Sequence, residues 1–269
     1  MQDFSYQRPQ SLAELAAAFD AVPEARPLAG GMTLIPTLKL RLSAPPALLD
    51  LAALPALRGI RRDAGTLSIG AMTRHAEVAT SADVRAAIPA LAALAGGIGD
   101  PQVRHRGTLG GSIANNDPAA DYPAALLALG ATVHTTRRAL PAAAFFTGLF
   151  QTALQADEIV TAVDFPVAPA AAYEKFRSPA SRYALVGVFV ARTEAGVRVA
   201  VTGAGAGVFR AGAIESALSE RFVPQALDGL RFPADGLNAD LHADADYRAH
   251  LITVLARRAV QKVLAGAAA

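Results

Sequence analysis

Two glycine pairs, Gly30-Gly31 and Gly110-Gly111, constrain this chain more than any other feature. In Ala29-Gly30-Gly31-Met32-Thr33 the pair follows Arg26-Pro27-Leu28-Ala29, which reads as a short buried strand. It precedes Leu34 to Leu42, which reads as a helix with Pro36 near its first turn. Paired glycines let a backbone turn tightly and approach a ligand, and the exposed N–H groups of such a turn cradle an anion. A helix starting just behind adds its positive end, and the Thr33 hydroxyl adds one more donor. Thr108-Leu109-Gly110-Gly111-Ser112 repeats two glycines flanked by hydroxyl residues. Either pair alone is compatible with an ordinary turn; together they suit a cofactor with two phosphates, gripped from either side.

Composition removes much else. The 269 residues include no cysteine, which excludes a disulfide framework, a thiol nucleophile, cysteine-ligated zinc and an iron–sulfur cluster held by this chain alone. At 52% hydrophobic and 18% charged residues the chain can bury a sizeable core. Its formal charge is only +2, and its basic residues lie in scattered pairs such as Arg61-Arg62 and Arg137-Arg138, so no nucleic-acid footprint is expected. The start lacks the features of a secretory peptide, and Pro, Asp or Arg interrupts every apolar stretch before ~18 residues. A cytoplasmic protein without a membrane span is the expectation.

Ser11-Leu12-Ala13-Glu14 opens a first helix with a capping-box pattern and an apolar stripe of Leu12, Leu15 and Phe19. Ala47 to Leu51 reads as a strand, and Leu57 to Ile69 as a hairpin turning at Asp63-Ala64-Gly65. A helical region from Thr73 to Leu94, broken near Pro89, leads to the glycine-punctuated and least regular part, Gly99 to Asp121. Asp117-Pro118 reads as the start of a helix through Leu129, closed by Gly130. Thr132 to Thr136 and Ile159 to Phe165 are further strands. Pro166 to Ala172 reads as a linker, dividing residues 1–171 from a smaller unit, 172–269. That unit holds strands Ala184 to Ala191 and Val197 to Val201, then helices Ala213 to Arg221 and Asp246 to Leu264. Without a strict βαβ repeat the fold class is α+β.

Protein-borne catalysts are scarce. The sequence has no Gly-x-x-x-x-Gly-Lys-Ser/Thr loop, no HExxH and no Gly-x-Ser-x-Gly elbow. No catalytic or metal-ligating set is expected, and His75 and His134 read as structural or surface residues. Asp117 reads as a helix cap, leaving Asp121, one turn on, free for a ligand. Gly203-Ala204-Gly205-Ala206-Gly207 resembles a Rossmann loop but has Val208 where its last glycine belongs, so it reads as a turn. Anion loops without an acid–base set are what a chain shows when a cofactor carries the chemistry.

Residues 29–42 and 106–123, Arg-Gly-Thr-Leu-Gly-Gly-Ser-Ile-Ala-Asn-Asn-Asp-Pro-Ala-Ala-Asp-Tyr-Pro in the second stretch, resemble the two FAD-binding motifs of one flavoprotein family. It comprises the medium subunits of molybdenum hydroxylases of the carbon monoxide and xanthine dehydrogenase type. The resemblance runs nearly end to end, through Asp157-Glu158-Ile159-Val160 and Tyr173-Glu174-Lys175-Phe176-Arg177. It implies a two-lobed FAD domain of the vanillyl-alcohol-oxidase (PCMH) type, then a small α+β C-terminal domain. By motif, Leu28, Ala29, Gly30, Gly31, Met32, Thr33, Leu34 and Ile35 would wrap the pyrophosphate. Thr108, Gly111 and Ser112 would contact FAD from the other lobe, and Asp121, Ile159 and Lys175 would complete the site. Lys175 would bring a cation to the flavin's pyrimidine edge.

The family implies partners as well: a large molybdenum-cofactor subunit, a small subunit with two [2Fe–2S] clusters, and an external acceptor such as NAD, a quinone or oxygen. A heterotrimer or its dimer follows. Met32 stands where the family often has His or Asn, and Asn115-Asn116 replaces small residues. These departures keep open a non-catalytic assembly or scaffold protein of the same fold. A lone NAD-dependent dehydrogenase using Gly203 to Gly207 is the third reading.

Overall fold

The computed structural model describes residues 1–267. Ser11 starts the first helix, Leu12–Ala21, by accepting the Glu14 N–H on its hydroxyl at 3.1 Å. The Glu14 carboxylate reaches past Ser11 to the Gln10 N–H at 2.8 Å, so the reciprocal half of the box is shifted by one residue. Leu15, Ala18 and Phe19 turn inward, whereas Leu12 is 38% exposed and lies off the expected stripe. This helix connects strand Ser5–Gln7 to strand Arg26–Leu28. The helix Leu34–Lys39, which stops three residues before the expected Leu42, connects the latter to Ala47–Asp50. The three strands pair in parallel with Ala47–Asp50 central, forming the first lobe around Leu15, Phe19, Leu49, Leu54 and Leu57.

The second lobe is a five-stranded antiparallel sheet. The hairpin Ile60–Asp63 and Thr66–Gly70, turning through Gly65 at φ +103°, pairs with Val160–Pro166, then Thr132–Thr135 and Ala139–Pro141. The helical region expected from Thr73 to Leu94, broken near Pro89, forms three helices: His75–Thr80, Ala82–Ala87 and Pro89–Gly96. The unforeseen break falls at Ser81, whose hydroxyl caps the second helix at Val84 N–H, 3.4 Å.

Residues 99–121 are more regular than expected, with helices Pro101–Arg106 and Leu109–Asn115. Asp117 does not cap the next helix. Its carboxylate accepts Ala119 N–H at 2.9 Å in a turn, and the helix Tyr122–Leu129 begins after Asp121. Gly130 closes it at φ +68° as expected.

Most of the expected linker is strand: Val160–Pro166 runs to its start, Ala170–Arg177 takes up its end, and Val167 N–H bonds Gly65 carbonyl at 2.7 Å. Ala170–Arg177 opens a four-stranded antiparallel sheet with Ala184–Thr193, Gly196–Thr202 and Phe209–Arg210, covered by helices Gly212–Glu220 and Ala245–Ala267. Along Ala184–Thr193 the pleat alternates between two cores. Val186, Val188 and Val190 face the long terminal helix, while Phe189 and Ala191 join the core built on helix Tyr122–Leu129.

The Gly203–Gly207 run is the turn it was read as. A Cβ on Gly203, at φ +81°, would lie 2.4 Å from Ala184 carbonyl oxygen, and Arg248 Nη1 donates to Gly203 carbonyl at 3.0 Å. Among the described residues no helix is long and apolar enough to cross a membrane. Replacing the first-helix cap, Ser11→Ala, is expected to cost about 1 kcal/mol, read as a lowered urea midpoint at unchanged slope.

Candidate functional site

Parallel strands open their following loops on one side. There a cleft of about 990 Å³ lies between the first lobe, the second lobe and residues 180–183. That volume is at the upper end of ligand sites, which run to ~1,000 Å³.

One wall is the first glycine pair. Gly31 turns the chain at φ +73°, and the Ile35 N–H donates back to Gly31 carbonyl at 3.0 Å to start the helix. The N–H groups of Gly30, Gly31, Met32, Thr33 and Leu34 find no backbone acceptor among the described residues. Five consecutive donors without a backbone partner at a cleft edge are the arrangement that an anion needs. Gly30 has no room for a side chain: its Cβ would lie 2.3 Å from Arg106 carbonyl oxygen and 2.7 Å from Gly107 Cα.

The second pair corrects the expectation of a second loop. Thr108 caps helix Leu109–Asn115, its hydroxyl accepting the Gly111 N–H at 3.2 Å. Leu109 and Gly110 donate to the carbonyls of Thr73 and Ala71 at 3.0 and 2.8 Å, and Ser112 donates to Thr108 at 3.0 Å. The N–H groups from Leu109 to Ser112 are therefore occupied within the fold. Their glycines serve close approach. A Cβ on Gly110 would meet Ala71 Cβ at 2.5 Å, and one on Gly111 would meet Thr108 Oγ1 at 2.9 Å and Ala29 Cβ at 3.3 Å.

Of the residues singled out from sequence, Ala29 through Leu34, Thr108, Gly111, Ser112, Asp121 and Ile159 border the cleft. Leu28 and Ile35 do not; they pack behind Gly31, whose Cβ would lie 3.3 and 3.0 Å from their side chains. Lys175 does not border it either. Its side chain is 4% exposed, and its Nζ lies 2.9 Å from Asp121 Oδ1 and donates to Gly97 carbonyl at 3.0 Å. Tyr173, on the same face of the same strand, donates its hydroxyl to Asp121 Oδ1 at 2.5 Å. Burial pushes the Asp121 carboxyl up, against the opposing pull of Lys175 and Tyr173. Burial, with Asp121 beside it, raises Tyr173 as well.

Sequence reasoning missed three elements of the site. His75 is buried at the cleft floor against Gly107, where a Cβ would lie 2.6 Å from Nε2, and its ring centroid is 5.4 Å from that of Tyr122. Burial, helped by Arg104, lowers its pKa to about 4, so the imidazole is neutral at pH 7. His134, in contrast, sits half-exposed, 2.7 Å from Asp164. Glu158 is the second element, its carboxylate accepting from Arg138 Nε at 3.0 Å, Thr135 Oγ1 at 2.6 Å and Gln155 N–H at 3.0 Å. Burial opposes its charge, yet these donors prevail and hold its pKa at about 2. Third is the hairpin Phe146–Gly148 and Gln151–Thr152, which brings Phe150 to the rim. Glu158 lies in a stretch that carries the resemblance, but its role, like those of the other two, depends on partners remote in the chain.

The sequence matches the family model described as "FAD binding domain in molybdopterin dehydrogenase" over residues 2–168. The carbon monoxide dehydrogenase medium chain of Hydrogenophaga pseudoflava is 34% identical over 274 residues, covering 96% of each chain. The nicotine 6-hydroxylase medium subunit of Paenarthrobacter nicotinovorans is 34% identical over 269 residues, covering 95% of each. Among solved structures, a chain of the reconstituted CO dehydrogenase from Oligotropha carboxidovorans superposes with a TM-score of 0.92 at 33% identity, covering 98% of both chains.

His75 and Glu158, whose pKa values are lowered, bind fewer protons folded than unfolded, so their contributions to stability fall on acidification, in separate windows. The contribution tied to His75 is present above pH ~6.5 and lost on descent toward pH 4. That tied to Glu158 is present above pH ~4.3 and lost on descent toward pH 2. Unfolding titrations should show His75→Phe flattening the upper window alone and Glu158→Gln the lower alone.

Proposed function

Because this chain belongs to the family of FAD binding domains in molybdopterin dehydrogenases, we propose that it is the FAD-carrying electron-transfer subunit of a molybdenum hydroxylase. In this reading FAD held by this chain would supply the redox chemistry that links a partner's [2Fe–2S] clusters to an external acceptor: NAD, a quinone or oxygen. A large molybdenum-cofactor subunit would oxidise the organic substrate, and the three chains would form a heterotrimer or its dimer in the cytoplasm. Residues 1–171 would form the FAD unit and 172–269 the C-terminal unit.

The observation that carries the reading is the run of unpaired N–H groups from Gly30 to Leu34, set in the segment matched to the family. They would hold the pyrophosphate, with the Thr33 hydroxyl beside them. Met32 contributes there through its backbone alone, so its departure from the family pattern removes no donor. Thr108, Gly111 and Ser112 would hold the cofactor's other side by shape and hydroxyl contacts. Asp121 would present its carboxylate to the cofactor, and Ile159 an apolar surface. Lys175, with Tyr173, acts through Asp121 by fixing the carboxylate in place.

The full chain purified with its co-expressed neighbours is expected to carry one FAD per copy, reducible by the partner's clusters. A colourless preparation that takes up no added FAD would sink the reading in favour of a scaffold role. Gly30→Ala, which drives a methyl into the Arg106 carbonyl, should reduce FAD retention more than tenfold. Gly205→Ala, at a turn outside the cleft, should leave it unchanged, whereas the lone NAD-dependent dehydrogenase reading requires the reverse order.

A further inference from the structure

The hairpin at the cleft rim carries a residue that its own fold does not favour. Gly148 pairs with Gln151, leaving Leu149 and Phe150 as a two-residue turn. Phe150 sits at φ +52°, in the left-handed region. Turns of this kind place Gly or Asn there, and a bulky residue is an outlier. Core packing does not compensate: Phe150 is 55% exposed, its side chain bordering the cleft.

The conformation is imposed from elsewhere. Asn116, at φ +45°, ends the glycine helix Leu109–Asn115 and is 2% exposed. Its Nδ2 donates to Gly148 carbonyl at 2.9 Å and to Gln151 carbonyl at 2.7 Å, the two carbonyls flanking the tip. One buried amide thus ties the helix that shapes the cleft wall to the hairpin that carries the aromatic ring. Strained residues of this kind persist where their surroundings over-determine them, and they cluster at ligand clamps.

We propose that Phe150 is an aromatic clamp that closes the cleft mouth on a planar ring of the bound FAD, and that Asn116 is its positioning residue. The inference rests on the FAD reading above. The phosphates go to the N–H groups of residues 30–34. An exposed Phe offers nothing to phosphate, but its face suits a planar heteroaromatic ring.

The test uses the full chain purified with its neighbours, with FAD and ADP as probes, alongside thermal unfolding of the FAD-free chain. Phe150→Gly is expected to weaken FAD roughly three- to tenfold and yet raise the melting temperature of the FAD-free chain, since Gly accepts the left-handed turn without strain. Phe150→Leu should weaken FAD without that rise. Asn116→Gly, which keeps its own left-handed backbone but lacks the amide, should weaken FAD to a similar degree. Combined with Phe150→Gly, it should add no further loss. Brighter flavin emission in the variants assigns the clamp to the isoalloxazine; a parallel loss of ADP binding assigns it to the adenine. Unchanged FAD affinity in Phe150→Gly, or weakened affinity with a lowered melting temperature, overturns the clamp. A wild-type chain that takes up no FAD overturns the underlying reading, and the clamp with it.

Discussion

The walls of the cleft meet backbone against backbone, and this close approach is the constraint on which the rest depends. Gly30 lies where a single methyl group would strike the Arg106 carbonyl, and Gly110 does the same against Ala71. Main-chain hydrogen bonds then lock the second element: His75 N–H to Gly107, Leu109 N–H to Thr73, Gly110 N–H to Ala71. The two lobes also share core, since Met72 and Ile159 pack among the apolar residues of the first lobe. With the seam fixed this tightly, the donors of residues 30–34, which border the cleft, are left without a backbone partner. These residues are half-buried or exposed, so an anion that binds there exchanges water for itself at donors the fold has already positioned.

Much of this was legible in the sequence, for identifiable reasons. Gly30-Gly31 lies between a strand and a helix, and both its turn and its free donors are local properties. The hairpin at Gly65 and the two central strands of the C-terminal sheet follow from turn chemistry and runs of β-branched residues, whereas its outer strands Ala170–Arg177 and Phe209–Arg210 were not read. Gly110-Gly111 was misread as a loop because glycine is a poor helix former, and the force that makes it helical is its approach to Ala71, which is tertiary. The start of the helix was placed at Asp117 because Asp-Pro is a good cap; yet the Asp117 carboxylate closes a turn and Asp121 stands at the helix start. The expected linker was read from proline and alanine, and neither reveals that sheet pairing continues through it.

The carboxylate at the cleft illustrates how the C-terminal part participates. Tyr173 and Lys175 reach Asp121 from the first strand of the C-terminal sheet. From the third, Thr202 donates its hydroxyl to the carbonyls of Pro118 and Ala120 at 2.9 and 2.6 Å, fixing the turn that leads into Asp121. Asp121 is thus supplied by one part of the chain and held by another. Burial pushes the Asp121 carboxyl up, and the Lys175 and Tyr173 donors work against that push.

The strand Ala184–Thr193 has a mechanical consequence. From Ala184 to Ala191 every residue is buried, and the two faces of its pleat belong to two different cores. The C-terminal sheet is therefore sandwiched between its own long helix and the helix that follows Asp121. Swinging it as a rigid body would expose Phe189 and Ala191 to water together with the apolar surface they cover, so the sandwich resists hinge motion.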